Sequence, residues 1–136
     1  MKAILVWCCG CHKDVSPRLT TGQEIYPARP DLAHLPFWKC DDCRNYVGCH
    51  HKTANRLQPL GNIPTAELRA ARRKIHEVLD PLWQAHGMPR KKLYSRLSKL
   101  LGWKYHTAEL RTMQEARAAW LAVRQIESDW LKKETA

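Results

Sequence analysis

Cysteine carries the most specific chemistry in this chain. Four of the six cysteines form two Cys-x-x-Cys pairs, Cys8/Cys11 and Cys40/Cys43, separated by residues 12 to 39. Each pair offers two thiolates from one tight turn, and two such turns converging on one ion make a tetrahedral four-cysteine site of the kind that holds Zn2+. A closed set of four thiolates leaves no coordination position for water, so such a site orders a fold and does not catalyse. Cys9 sits inside the first pair, while His12, Cys49, His50 and His51 flank the two turns. On sequence alone the coordination roles of Cys9, Cys49 and His12 stay open.

Histidine supplies a second candidate chemistry. His50, His51, Asn55, Asn62, His76 and Asp80 are the residue types of a histidine-metal nuclease, in which a His activates water and a divalent ion polarises phosphate. His76 and Asp80 are four apart and share one face of a helix. In zinc-framed nucleases of that type the catalytic histidines usually lie between the cysteine pairs, whereas only His12 and His34 do so here. The plainer alternative gives His50 a hydrogen bond to a cysteine sulfur and Asp80 a helix-capping role. There is no glycine-rich phosphate loop and no nucleophilic serine motif.

Basic residues supply a third. The net charge is +10, from 23 Lys+Arg against 13 Asp+Glu. After Thr65 there are 15 basic and 8 acidic residues; up to Thr65 there are 8 and 5. Six basic residues and no acidic one occur between Arg90 and Lys104. Lys92, Arg96 and Lys99 fall on one helical stripe, and Arg69, Arg73 and His76 repeat the spacing upstream. Such stripes track phosphates, with Trp103 and Tyr105 placed to stack on unpaired bases. The alternative is a solvated helix face with those aromatics buried in a core.

The elements that must position these residues differ along the chain. Apolar side chains thin out between Gly10 and Pro36, which calls for a metal staple in place of a large core. Ala3–Trp7 reads as a strand, Thr20–Gln23 as a hairpin turn between Lys13–Arg18 and Glu24–Tyr26, and Asn45–Val47 as a returning strand. Pro59, Gly61 and Pro64 mark residues 52–64 as a loop or linker. From Thr65 the period becomes helical through Leu68, Ala71, Ile75, Val78, Leu79 and Leu82, with an interruption expected at Asp80-Pro81. A second helix is expected over about Arg90–Leu101, with Leu93, Leu97, Leu100 and Leu101 on one face and Gly102 as its stop. Thr112 and Glu115 have the spacing of a capping box for a long last helix. The fold class is therefore α+β: a small N-terminal zinc ribbon of short hairpins over residues 1–58, then a basic, mainly α-helical part over 59–136.

Three stretches also carry a family resemblance. Cys8-Cys9-Gly10-Cys11, Ile25-Tyr26 and the run Trp38-Lys39-Cys40-Asp41-Asp42-Cys43-Arg44-Asn45-Tyr46-Val47-Gly48-Cys49-His50 are similar to the zinc-finger-containing domain common in bacteriophage and prophage genomes. Pro59-Leu60-Gly61, Glu67-Leu68-Arg69, Arg72, His76, Asp80 and Leu82-Trp83 extend the resemblance, in order, over roughly residues 5–120. It implies a zinc ribbon joined to helices in a phage-encoded protein, and it implies no particular biochemistry. One departure lies in the first turn. Family members tend to place an aromatic residue before the second cysteine and a Gly after it, where this chain has Gly10 and His12.

Together these features lead to the expectation of a zinc-dependent protein that binds nucleic acid, DNA rather than RNA, in phage DNA metabolism or its regulation. Arg69, Arg73, Lys92, Arg96 and Lys99 are its expected phosphate contacts. A metal-dependent DNA endonuclease using His50, His51, His76 and Asp80 is one alternative; an adaptor or inhibitor that binds a host protein is the other. No run of eighteen apolar residues occurs, and the apolar start Met1–Trp7 is too short for a signal peptide. The bacterial host cytoplasm is the expected location, since six cysteines suit thiolate ligation in a reducing compartment.

Overall fold

A computed structural model describes residues 3–135 of the protein. The chain divides between Ala66 and Glu67 into two compact units. The first holds short antiparallel strands and the four-cysteine cluster, the second holds helices; this is a small zinc ribbon followed by a helical part.

In the first unit β1 (Val6–Cys8) pairs with β2 (Lys13–Val15), and β3 (Arg18–Thr21), β4 (Pro36–Lys39) and β5 (Tyr46–Gly48) form a second sheet in sequence order. The registers Val6↔Val15 and Trp38↔Val47 direct one apolar residue from each strand of these two pairs inward. With Ile63, Cys8, Cys40 and Cys49 they make the buried core of the unit. That core is small: one Trp, one Ile, three Val and three Cys.

Residues 58–63 join the two sheets. The His50 amide donates to the Gln58 carbonyl (2.9 Å) and the Leu60 amide to the Gly48 carbonyl (2.9 Å), which extends the second sheet past β5. The same segment then reaches the first sheet, where the Ile63 amide donates to the Trp7 carbonyl (2.8 Å) and the Cys9 amide to the Ile63 carbonyl (2.8 Å). The stretch read as a loop or linker is thus a strap. Its Pro and Gly residues announce irregular backbone, but Ile63, 0% exposed, is the anchor.

The hairpin turn expected at Thr20–Gln23 is absent. β3 runs directly into a short helix, α1 (Gly22–Ile25), and pairs with β4, which lies 15 residues further on. Gly22 fits because its amide donates to the Leu35 carbonyl (2.9 Å), and a Cβ there would lie 1.9 Å from the Leu32 carbonyl oxygen. Ionic contacts then lock this return to the knuckle region. Arg18 makes paired hydrogen bonds to both Glu24 and Asp41, and Lys39 and Thr20 also donate to Glu24. Beside them Tyr26, Phe37 and Tyr46 meet edge to face, with a 2.6 Å hydrogen bond from the Tyr46 to the Tyr26 hydroxyl.

In the second unit α2 (Ala66–Gln84) passes through Pro81 without a break, contrary to the interruption expected at Asp80-Pro81. Proline removes one helical N–H. Leu79 and Leu82 on either side are fully buried, however, and Asp80 does not cap a new helix. Its Oδ1 instead accepts from the Trp83 indole and faces the His76 ring, each at 3.2 Å. α3 (Arg90–Leu101) buries Leu93 and Leu97 and stops at Gly102, whose φ of 80° is the left-handed conformation that closes helices. Leu100, expected on the buried face, is 57% exposed.

α4 (Met113–Thr135) opens with the Glu115 amide donating to Thr112 Oγ1 (3.0 Å); the Glu115 carboxylate accepts from the Arg111 amide (2.7 Å). Val123 and Ile126 of α4 are fully buried, and Trp130 donates to the His86 carbonyl (2.9 Å). Among the described residues no helix is long and apolar enough to cross a membrane.

The strap makes a direct prediction. Ile63→Ala should destabilise the first unit by about 2–4 kcal/mol. Hydrogen exchange should speed up at the Cys9 and residue-63 amides, which depend on that register. Unchanged exchange at both amides would show that the strap does not hold the sheets.

Candidate metal centre

Each cysteine pair occupies the same backbone device. In the first, Cys8 ends β1 and Lys13, its register partner, begins β2; the His12 amide donates back to the Cys8 carbonyl (2.8 Å). In the second, the Arg44 amide donates to the Cys40 carbonyl (2.7 Å) and the Cys40 amide to the Asn45 carbonyl (2.8 Å). The residue after each second cysteine has positive φ, 57° for His12 and 66° for Arg44. This left-handed step folds the chain around its sulfurs and explains why Gly is favoured there. His12 and Arg44 adopt it despite their Cβ atoms, so the departure at His12 does not prevent the turn.

The two turns face each other. Cys8 and Cys43 sulfurs lie 3.3 Å apart and Cys11 and Cys40 sulfurs 3.7 Å, with all four within 4.8 Å of one another. Four sulfurs at about 2.3 Å from a tetrahedral ion stand ~3.8 Å apart. The two shortest contacts lie just below that value and the whole set lies within 4.8 Å, so the donors fit such an ion in number, chemistry and spacing. Among the described residues it is the one group of three or more His, Cys, Asp or Glu side chains at ligand spacing.

The electrostatics point the same way. Burial pushes the Cys8 thiol up, against the backbone N–H groups of Cys11 and Gly10. Cys11 is raised first by its hydrogen bond with Cys40 and then by burial. Burial also raises Cys43, but the Asn45 backbone N–H and the neighbouring thiols outweigh it and lower its pKa. Cys8 and Cys11 thus lean toward the neutral thiol and Cys43 away from it. A bound cation reverses that balance, because each thiolate it ligates is stabilised directly.

Two residues beside the ligands, Gly10 and Asn45, were given no packing role from sequence. Asn45 Nδ2 donates to the Cys43 sulfur at 3.2 Å. A Cβ on Gly10 would lie 2.5 Å from that Nδ2 and 3.2 Å from the Cys43 sulfur. Gly10 is therefore the gap through which the second turn approaches the first. No pattern within either Cys-x-x-Cys pair signals this, since the contact joins residues 35 apart in the chain.

The pattern of zinc-finger-containing domains matches residues 4–127. The chain belongs to that family. No curated protein and no solved structure matches it. For a zinc-finger-containing domain, the four-cysteine cluster is the metal site.

The remaining candidates lie apart from this cluster. Cys9 is buried, with its sulfur 3.5 Å from Asn62 Oδ1, and Cys49 is buried in the core, where desolvation raises its thiol. His12 is exposed. His51 Nδ1 lies 3.3 Å from the Cys49 carbonyl, and the His50 carbonyl accepts from Thr53. His76 and Asp80 pair with each other on α2, in the other unit from His50 and His51.

Among the expected phosphate contacts Arg73, Lys92 and Lys99 are exposed, while Arg69 and Arg96 are half-buried. Arg72, beside that stripe, donates to the Leu110 carbonyl at 2.6 Å. Tyr105 does not offer a face for stacking. It is 1% exposed, and its hydroxyl, pushed up to about 12 by burial, hydrogen-bonds Thr107.

Gly10→Ala should displace the Asn45 side chain and weaken metal binding about tenfold, the scale found when support to a ligand is lost. Competition with a chromophoric chelator measures it. Unchanged affinity would remove Gly10 and Asn45 from the account of the site.

Proposed function

We propose that the ion is zinc, that Cys8, Cys11, Cys40 and Cys43 ligate it, and that the protein is a phage or prophage product that binds DNA through the cations of its helical unit. An all-sulfur tetrahedral set suits zinc, and with all four positions taken the metal orders the ribbon and leaves no site for a reacting water. The DNA reading rests on how the cations are used. In the ribbon, Arg18, Arg29 and Lys39 are each paired with a carboxylate. On α3 the sequence Arg90–Leu101 contains no acid, and among the described residues Lys92, Arg96 and Lys99 have no carboxylate partner. Uncompensated charges on one helical stripe are what a polyanion neutralises when it releases its counterions. Arg73 on α2, exposed and likewise without a carboxylate partner among the described residues, extends the set; Arg69 belongs to the same stripe. Action within the cytoplasm of a bacterial host, in phage DNA metabolism or its regulation, follows from this reading.

His76 and Asp80 are better accounted for by packing, since Asp80 holds both His76 and Trp83 in place. The zinc-loaded protein should bind labelled DNA with an affinity that falls with salt at a log–log slope of about −4. Reversing Lys92, Arg96 and Lys99 to Glu should abolish most of that binding and flatten the slope. Anisotropy titrations that show equal affinity in the wild type and the triple variant would refute the assignment. Absence of binding to any DNA at low salt would turn the search to a host protein.

A further inference from the structure

We propose that the helical unit binds single-stranded DNA in particular, with an unpaired base stacked on the exposed Trp103 ring. This rests on the nucleic-acid reading above and specifies the form of the ligand. A ladder of side chains runs through the unit. The Arg90 guanidinium lies 5.8 Å from the Trp83 ring centroid and 4.5 Å from that of Tyr94. Tyr94 and Tyr105 centroids are 5.8 Å apart with planes tilted by 36°, and Tyr105 and Trp103 are 5.8 Å apart, tilted by 42°.

The middle of the ladder is fixed. The Tyr105 amide donates to Ser98 Oγ (2.9 Å), Ser98 Oγ donates to the Tyr94 carbonyl (2.9 Å), and the Tyr105 hydroxyl meets Thr107 Oγ1 (2.7 Å). The end of the ladder is open: Trp103 is 37% exposed, whereas Tyr105 behind it is 1% exposed. The indole thus touches Tyr105 at a tilt and keeps more than a third of its surface exposed to a ligand.

Its surroundings suit a nucleotide. Lys99 and Lys104 flank Trp103 in sequence and have no carboxylate partner among the described residues. Leu100, one turn from Arg96 and next to Lys99, is an exposed apolar neighbour of the basic stripe. A base inside a duplex already stacks on both faces, so an aromatic platform adds nothing to it. An unpaired base has a free face, and stacking tolerates any sequence. Phosphate contacts from the stripe and one stacked base at its C-terminal end together describe a single-strand site.

The test compares zinc-loaded wild type, Trp103→Ala and Trp103→Phe on an oligothymidylate of about 15 nucleotides and on a duplex of equal length. Wild type should favour the single strand. Trp103→Ala should lose about tenfold on it with its salt slope and its duplex affinity unchanged, and Trp103→Phe should recover most of the loss. Equal losses on both DNAs, or no loss on the single strand, would overturn the stacking site while leaving the phosphate-binding reading intact. A wild type that binds neither DNA would overturn both.

Discussion

Four thiols crowded to within 4.8 Å of one another are a poor way to finish a protein core unless something binds them. Burial and mutual hydrogen bonding keep protons on Cys8 and Cys11, and thiols packed against thiols contribute little cohesion of their own. A cation at their centre turns the same crowding into four strong bonds between the two cysteine turns. The ribbon is arranged around that exchange. Its apolar core has only eight buried residues, three of them cysteines, which is too little for strands of three or four residues to persist unaided.

Other features of the ribbon hold the two turns in position to meet. Gly10 leaves the space, and Asn45 steadies Cys43. Positive φ at His12 and Arg44 aims the backbone. The 58–63 strap ties β5 to β1, so that the sheets carrying the two turns share a backbone hydrogen-bond network. On the outer side, Arg18 links Glu24 at the start of the sheet's return to Asp41 inside the second Cys-x-x-Cys. These ion pairs are exposed, and they contribute register more than stability. The helical unit draws instead on apolar burial, with Leu79 and Leu82 of α2, Leu93 and Leu97 of α3, and Val123 and Ile126 of α4 all buried.

What the sequence made legible was local. The ligand spacing needs only four residues to be recognised, and α3 and α4 announce themselves by period and by the Gly102 and Thr112 boundaries. What stayed hidden depends on residues far apart. Pro59, Gly61 and Pro64 look like a linker until Ile63 is seen against Trp7 and Cys9. Thr20–Gln23 has the composition of a hairpin turn, but the partner of β3 is β4, and the close approach of Leu32 to Gly22 decides the path. Pro81 breaks an isolated helix; here the burial of Leu79 and Leu82 outweighs one lost hydrogen bond. Tyr105 and Trp103, two residues apart, differ in burial, and Tyr105 finds Ser98 and Thr107 to satisfy its polar groups.

Dependence of the ribbon on its metal is tested most directly by removing the ion from the full-length protein under reducing conditions and following backbone amides by NMR. Dispersed signals from residues 6–63 should collapse on chelation and return with one equivalent of Zn2+, while those of α2, α3 and α4 persist. A ribbon that keeps its dispersed signals with no metal bound would contradict the account.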